Sequence, residues 1–164
     1  MNKFRIKDIS FMATSIALMY VFGKILYIMS RFFPIPGSRV IFTTPLFTFV
    51  LTAAVLKTKK ISIIMGLLAL ILLRLTIFGA VAVGLAGILT DLTTYMLIRK
   101  YTDYKSIYKT LAFHSFYSIW TSYLIISLFV ESSTFIMGNI LVVFLVSIIL
   151  YFVAYYISKA SIRL

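Results

Sequence analysis

From Ile9 to Gly23 the chain carries no charge, and the apolar run continues to about Met29 with only Lys24 interrupting it. A helix rises about 1.5 Å per residue, so about 20 such residues cross the roughly 30 Å of hydrocarbon in a bilayer. The run is long enough to begin a membrane span, and Lys24 near its far end can extend its ammonium to an interface. Five further apolar runs follow, at about 40–56, 61–78, 80–98, 110–130 and 134–157. With 62% hydrophobic and 12% charged residues and a mean hydropathy of +1.09, no water-soluble fold could hide so much apolar surface. The expectation is an all-α integral membrane protein, one six-helix transmembrane domain over residues 1–164. The third and fourth runs meet almost without a loop at Phe78-Gly79-Ala80, so residues 61–98 are either two full spans or a bent hairpin buried in the bundle. The basic-then-apolar N-terminus resembles a signal peptide, but no small-x-small cleavage site follows, and the run reads as a retained first span.

Charge orients the bundle. With the N-terminus inside, Lys3, Arg5, Lys7, Lys57, Lys59, Lys60, Arg99, Lys100, Lys105, Lys109, Lys159 and Arg163 are cytoplasmic, which is 12 of the 16 basic residues. Lys24, Arg31, Arg39 and Arg74 remain in the outer half or outside. Basic residues gather in cytoplasmic loops, so both termini are expected inside the cell membrane. The net charge of +12 is therefore a topology signal spread over separate loops, and nucleic acid is not an expected partner.

Catalytic groups are scarce. The acids are Asp8, Asp91, Asp103 and Glu131, and the one histidine is His114. Asp91 falls within the fourth span and Glu131 at the outer end of the fifth, so they cannot form a close carboxylate pair. The absence of cysteine removes disulfides and thiolate chemistry, and no metal-ligand spacing or serine-nucleophile motif is present. Nor is there a glycine-rich phosphate loop with its lysine, so the chain is not expected to bind or hydrolyse ATP by itself. Neither enzyme activity nor a cofactor is expected.

Three segments carry more than span-forming residues. In the first, Ala13 and Ala17 lie one turn apart and form a small-residue notch where another helix can approach, from the same chain or from a partner. In the fourth, Gly79, Ala80, Ala82, Gly84, Ala86 and Gly87 leave one end nearly free of bulk, for close helix contact or for a ligand. Asp91 follows them. It is costly at membrane depth and must pair or face a polar interior, with Thr90, Thr93 and Thr94 as candidate partners. In the fifth, Tyr117, Trp120, Thr121, Leu124, Ser127 and Glu131 follow the spacing of one helical face, suited to a flat ligand or to ordinary packing.

The outer side gathers cations. The loop from Ser30 to Arg39 is stiffened by Pro34 and Pro36, and Lys24 and Arg74 reach the same level from the first and third spans. A pocket in the outer half is expected there, with Lys24, Arg31, Arg39 and Arg74 holding a carboxylate or other anion and Glu131 the nearby acid. Trp120 and Tyr123 would line its wall, and Asn139 would supply an orienting amide. The alternative is that Lys24 and Arg74 extend to lipid headgroups while Arg31 and Arg39 are solvated.

The layout resembles the substrate-binding S component of energy-coupling-factor (ECF) vitamin transporters, in size, six short spans, cytoplasmic termini, a first outer loop with prolines, and the Ala13-x-x-x-Ala17 notch. The Gly84-x-x-Gly87-x-x-x-Asp91 run also looks like glycine-rich segments of several members. The resemblance covers the whole chain as architecture. It implies that Ala13 and Ala17 contact a transmembrane coupling subunit, that two cytoplasmic ABC ATPases drive uptake, and that a vitamin or other micronutrient is captured outside. No substrate-specific signature singles out a vitamin. A cell-shape scaffold of the MreD-like kind has similar size and span count and is the alternative from another class. A membrane-embedded transferase is a third, disfavoured by the shortage of acids.

Overall fold

The computed structural model describes residues 6–30, 32, 38–59, 61–97, 103–129 and 133–163, and for 39, 126 and 133–139 the backbone alone. These form six helices: α1 (Ile6–Ser30), α2 (Ser38–Thr58), α3 (Ile61–Leu72), α4 (Ile77–Leu97), α5 (Tyr104–Phe129) and α6 (Ser133–Ser161). No strand occurs among the described residues. Five of the six, all but α3, are long and apolar enough to cross a membrane.

The third expected span is corrected. Residues 61–78 are not one helix: α3 ends at Leu72, and Leu75 N–H and Thr76 N–H both donate to Leu72 O at 2.8 and 2.9 Å, closing a turn. The 12 residues of α3 reach about 18 Å, well short of the roughly 30 Å of hydrocarbon. The join therefore lies at Leu73–Thr76 rather than at Phe78–Ala80. Residues 61–97 form a hairpin whose first arm is a short helix. Arg74 sits exposed at its tip, where a guanidinium need not be buried in the bundle.

Asp91 explains how so short a helix starts. Its carboxylate accepts from the Ile61 and Ser62 backbone N–H groups at 3.1 and 2.9 Å, and from the Ser62 hydroxyl. A helix leaves its first N–H groups without intrahelical partners and carries a partial positive charge at that end. An acid from the neighbouring helix meets both needs. The close seating of the two arms depends on Gly87, where an added Cβ would lie 2.8 Å from the Met65 Cβ and 3.3 Å from the Ser62 Cα.

The remaining helices close around this hairpin. α4 packs on α5, α5 on α6, α1 on α2, and α2 reaches both α5 and α6. One apolar cluster joins Ile16 and Met19 of α1, Leu51 and Val55 of α2, Ile64, Met65 and Leu68 of α3, and Leu111 of α5. A second joins Ile119 and Tyr123 of α5 to Val143 and Leu150 of α6. Large apolar side chains such as Leu70, Ile88, Leu141 and Leu145 point outward, while Thr48, Thr52, Thr90, Thr94, Thr110 and Ser147 are buried. That is the reverse of a water-soluble fold and suits a bundle solvated by lipid. Several of the buried hydroxyls bond back to their own helix, as Thr52 does to Thr48 O at 2.6 Å.

Candidate functional site

Polar contact between α4 and α5 runs as a ladder. Thr94 Oγ1 lies 3.1 Å from Thr110 Oγ1, Thr90 Oγ1 lies 3.2 Å from His114 Nδ1, and Thr93 Oγ1 lies 2.7 Å from the Tyr117 hydroxyl. The three threonines named as candidate partners of Asp91 are thus turned to α5, while Asp91 is turned to α3. Spacing along α4 accounts for this, since residues one apart differ by about 100° around a helix axis.

Beside the ladder is a cavity of about 80 Å³. One water needs roughly 10–15 Å³ of such space, so it is larger than a single-water site. Its walls come from four helices: Thr43, Thr44 and Thr48 of α2, Met65 of α3, Ala82 and Ala86 of α4, and His114, Ser115, Ser118 and Ser122 of α5, with Val40, Phe47 and Val83 completing them. Pro45 lies within the α2 stretch and lacks the N–H that would have bonded the Ile41 carbonyl. The alanines of α4 keep that wall low.

His114 is buried, and its ring lies between two hydroxyls. Thr90 Oγ1 is 3.2 Å from Nδ1 and Ser118 Oγ is 3.4 Å from Nε2. Each hydroxyl also has a shorter partner: Thr90 donates to Ala86 O at 2.6 Å and Ser118 to His114 O at 2.8 Å. Ser118, the neighbour of Nε2, lines the cavity together with His114, and Thr90, the neighbour of Nδ1, does not. Thr48 and Ser115, both buried, and the half-buried Ser122 show no hydrogen-bond partner among the described residues.

The expected site residues whose side chains are described, Lys24, Arg74, Trp120 and Tyr123, do not line this cavity. Lys24 is exposed on α1, its ammonium 4.9 Å above the Tyr20 ring, and Arg74 is exposed in the α3–α4 turn; neither lines the cavity. Tyr123 is buried against α6, and Trp120 packs beside it with ring centroids 6.3 Å apart. The Trp120 indole N–H is buried without a partner among the described residues. Arg31 and Glu131 lie outside the described residues, as do the side chains of Arg39 and Asn139. Arg39 directly precedes the cavity-lining Val40 in α2. Among the described residues no lysine, arginine or carboxylate lines the cavity.

The Ala13–Ala17 notch points outward. α1 buries Met12, Ser15, Ile16 and Met19 against the bundle, which leaves Ala13 and Ala17 exposed. α1 packs on α2 through its other face, so the alanine pair itself is not covered by a described helix of this chain. By contrast, the small residues of α4 are in use internally, Gly87 against Met65 and Gly84 with Ala69 Cβ at 3.7 Å from its Cβ position.

Comparison with protein-family models, with characterised proteins and with solved structures finds no match to this chain.

Proposed function

We propose that this chain is the substrate-binding membrane subunit of an ECF-type uptake transporter. It captures a small micronutrient on the outer face of the cell membrane and releases it inward with a transmembrane coupling subunit and two cytoplasmic ATPases. The observation that carries this reading is the hydroxyl- and histidine-lined cavity enclosed by α2, α3, α4 and α5. Apolar walls with a few hydroxyls and one imidazole among them suit a compact organic ligand, which needs both burial and a small number of polar groups to orient it. A scaffold would gain nothing from such space, whereas a binding subunit requires it.

Position within the bundle supports the same reading. The α2 residues that line the cavity, from Val40 to Thr48, are in the half of that helix away from Lys57 and Lys59. Those of α4, Ala82 to Ala86, follow soon after the α3–α4 turn. If the lysine-rich ends are cytoplasmic, the cavity occupies the middle and outer half of the membrane. Ala13 and Ala17, exposed on α1, then offer the face for the coupling subunit.

Affinity purification from native membranes, with mass spectrometry of proteins and extracted small molecules, tests the proposal. The expected result is a coupling subunit, two ATPases and a retained small molecule. Recovery of cell-wall synthesis proteins with no small molecule would replace it with the scaffold reading.

A further inference from the structure

We infer that the cavity takes an uncharged ligand that donates a hydrogen bond, from N–H or O–H, to His114 Nε2. The inference rests on the binding-subunit reading and narrows its substrate class. It replaces the anion expected from the outer cations.

A neutral imidazole has one N–H and one bare nitrogen. The hydroxyl protons of Thr90 and Ser118 are each committed to the nearer backbone carbonyl, at 2.6 and 2.8 Å, so towards the ring both oxygens can only accept. The ring can donate to one of them, and the other nitrogen then lacks a donor. The ring proton is assigned to Nδ1, where it meets Thr90 Oγ1 at 3.2 Å, the shorter of the two contacts, which leaves Nε2 bare beside Ser118 Oγ at 3.4 Å. The Nε2 lone pair lies on the Ser118 side, and Ser118 lines the cavity.

An imidazolium would donate to both hydroxyls, but it would be a buried charge with no carboxylate in hydrogen-bond contact among the described residues. Asp91 attracts such a charge without bonding it, because its carboxylate is committed to the α3 N-terminus. The residual cost of burying an unpaired ion is several kcal/mol, far above that of one long hydrogen bond. The ring is therefore neutral.

The rest of the cavity agrees with an uncharged ligand. No described cation or carboxylate lines it, so a ligand charge would have nothing to meet. Thr48, Ser115 and Ser122 provide hydroxyls that rotate to donate or accept, while Phe47, Met65, Val83, Ala82 and Ala86 provide apolar walls. A compact amide or nitrogen heterocycle, with an N–H beside a carbonyl and no net charge, satisfies both sets.

The chain has a single histidine, which makes the test direct. Protein carrying ¹⁵N-labelled histidine in nanodiscs gives imidazole resonances from His114 alone. The expected result without ligand is a neutral ring protonated at Nδ1. Millimolar 2-pyridone, uracil, nicotinamide and benzimidazolone, their N-methylated counterparts, and benzoate are then added in turn. At least one unmethylated probe should move Nε2, its methylated counterpart should not, and benzoate should not. His114→Leu should weaken that probe at least tenfold, by ligand-observed NMR, while His114→Gln, whose carbonyl can accept, should weaken it less. A charged ring, a response to benzoate alone, equal response to methylated probes, or an Nε2 that no probe moves would overturn the inference. Co-purification of the coupling subunit and ATPases is independent of all these outcomes, so the ligand class can fail while the transporter reading stands.

Discussion

At the residue scale, Asp91 shows how a costly group in a membrane span acquires a structural use. Asp91→Ala would leave the first N–H groups of α3 and the Ser62 hydroxyl without their acceptor, at a cost of about 1–3 kcal/mol. Asp91→Asn keeps a neutral acceptor and should lose less. Thermal unfolding in detergent checks both; an Asp91→Ala protein that unfolds like wild type would remove the capping role. That Asp91 needs a partner was legible in the sequence. Which partner was not, because Ile61 lies 30 positions away and a backbone N–H leaves no compositional trace. The cavity wall was half legible for a related reason. His114, Ser118 and Ser122 recur every fourth residue, and Thr44, Thr48 and Thr52 do the same on α2. The aromatic face through Tyr117 and Trp120 is one step round the same helix and drew the reading toward bulkier residues. Tyr117 instead bonds Thr93, and Trp120 packs with the α5–α6 cluster.

At the scale of elements, four of the six expected spans match helices to within a few residues, and a fifth, α5, starts six residues before position 110 at Tyr104. Sustained apolar composition over about 20 residues is hard to accommodate otherwise. The break at Leu73–Thr76 escaped because its neighbours are apolar on both sides, and a turn made from backbone hydrogen bonds needs no proline or glycine of its own. The hairpin's glycines give a paired prediction. Gly87→Ala puts a Cβ 2.8 Å from that of Met65, so α3 must shift, and stability should fall by about 1–3 kcal/mol. Gly66→Ala in α3 meets nothing within 4 Å and should be neutral or stabilising by up to about 1 kcal/mol. Denaturation of the two variants side by side distinguishes close helix contact from a general intolerance of α3 and α4 to added bulk. A third substitution concerns the α2–α3 corner. Lys59 has φ of 57°, a left-handed conformation that disfavours a Cβ by about 1–2 kcal/mol, so Lys59→Gly should raise the unfolding temperature.

At the scale of the whole molecule, the direction the bundle faces in the membrane follows from its charges. The excess of basic residues predicts Lys105 inside and the first loop outside. Because the chain has no cysteine, Phe32→Cys and Lys105→Cys each introduce a single thiol at an exposed position. An impermeant reagent on intact cells should label the first and spare the second, and equal labelling would overturn the orientation. The proposed coupling face makes a separate demand. Ala17→Leu enlarges an outward residue of α1 without entering the core, so the isolated protein should unfold as wild type does and bind its ligand unchanged. Against a partner helix, the same side chain blocks close approach, so assembly with the coupling subunit should weaken. Ala13→Leu should act in the same way. Ser15→Leu is the internal contrast: Ser15 is buried and its hydroxyl bonds Phe11 O at 2.8 Å, so that variant should destabilise the fold itself. Size-exclusion chromatography of the co-expressed complex, beside thermal unfolding of the isolated subunit, reads the two effects separately. If Ala13→Leu and Ala17→Leu both assemble normally, α1 faces only lipid at the notch, and the coupling subunit must dock elsewhere on the bundle.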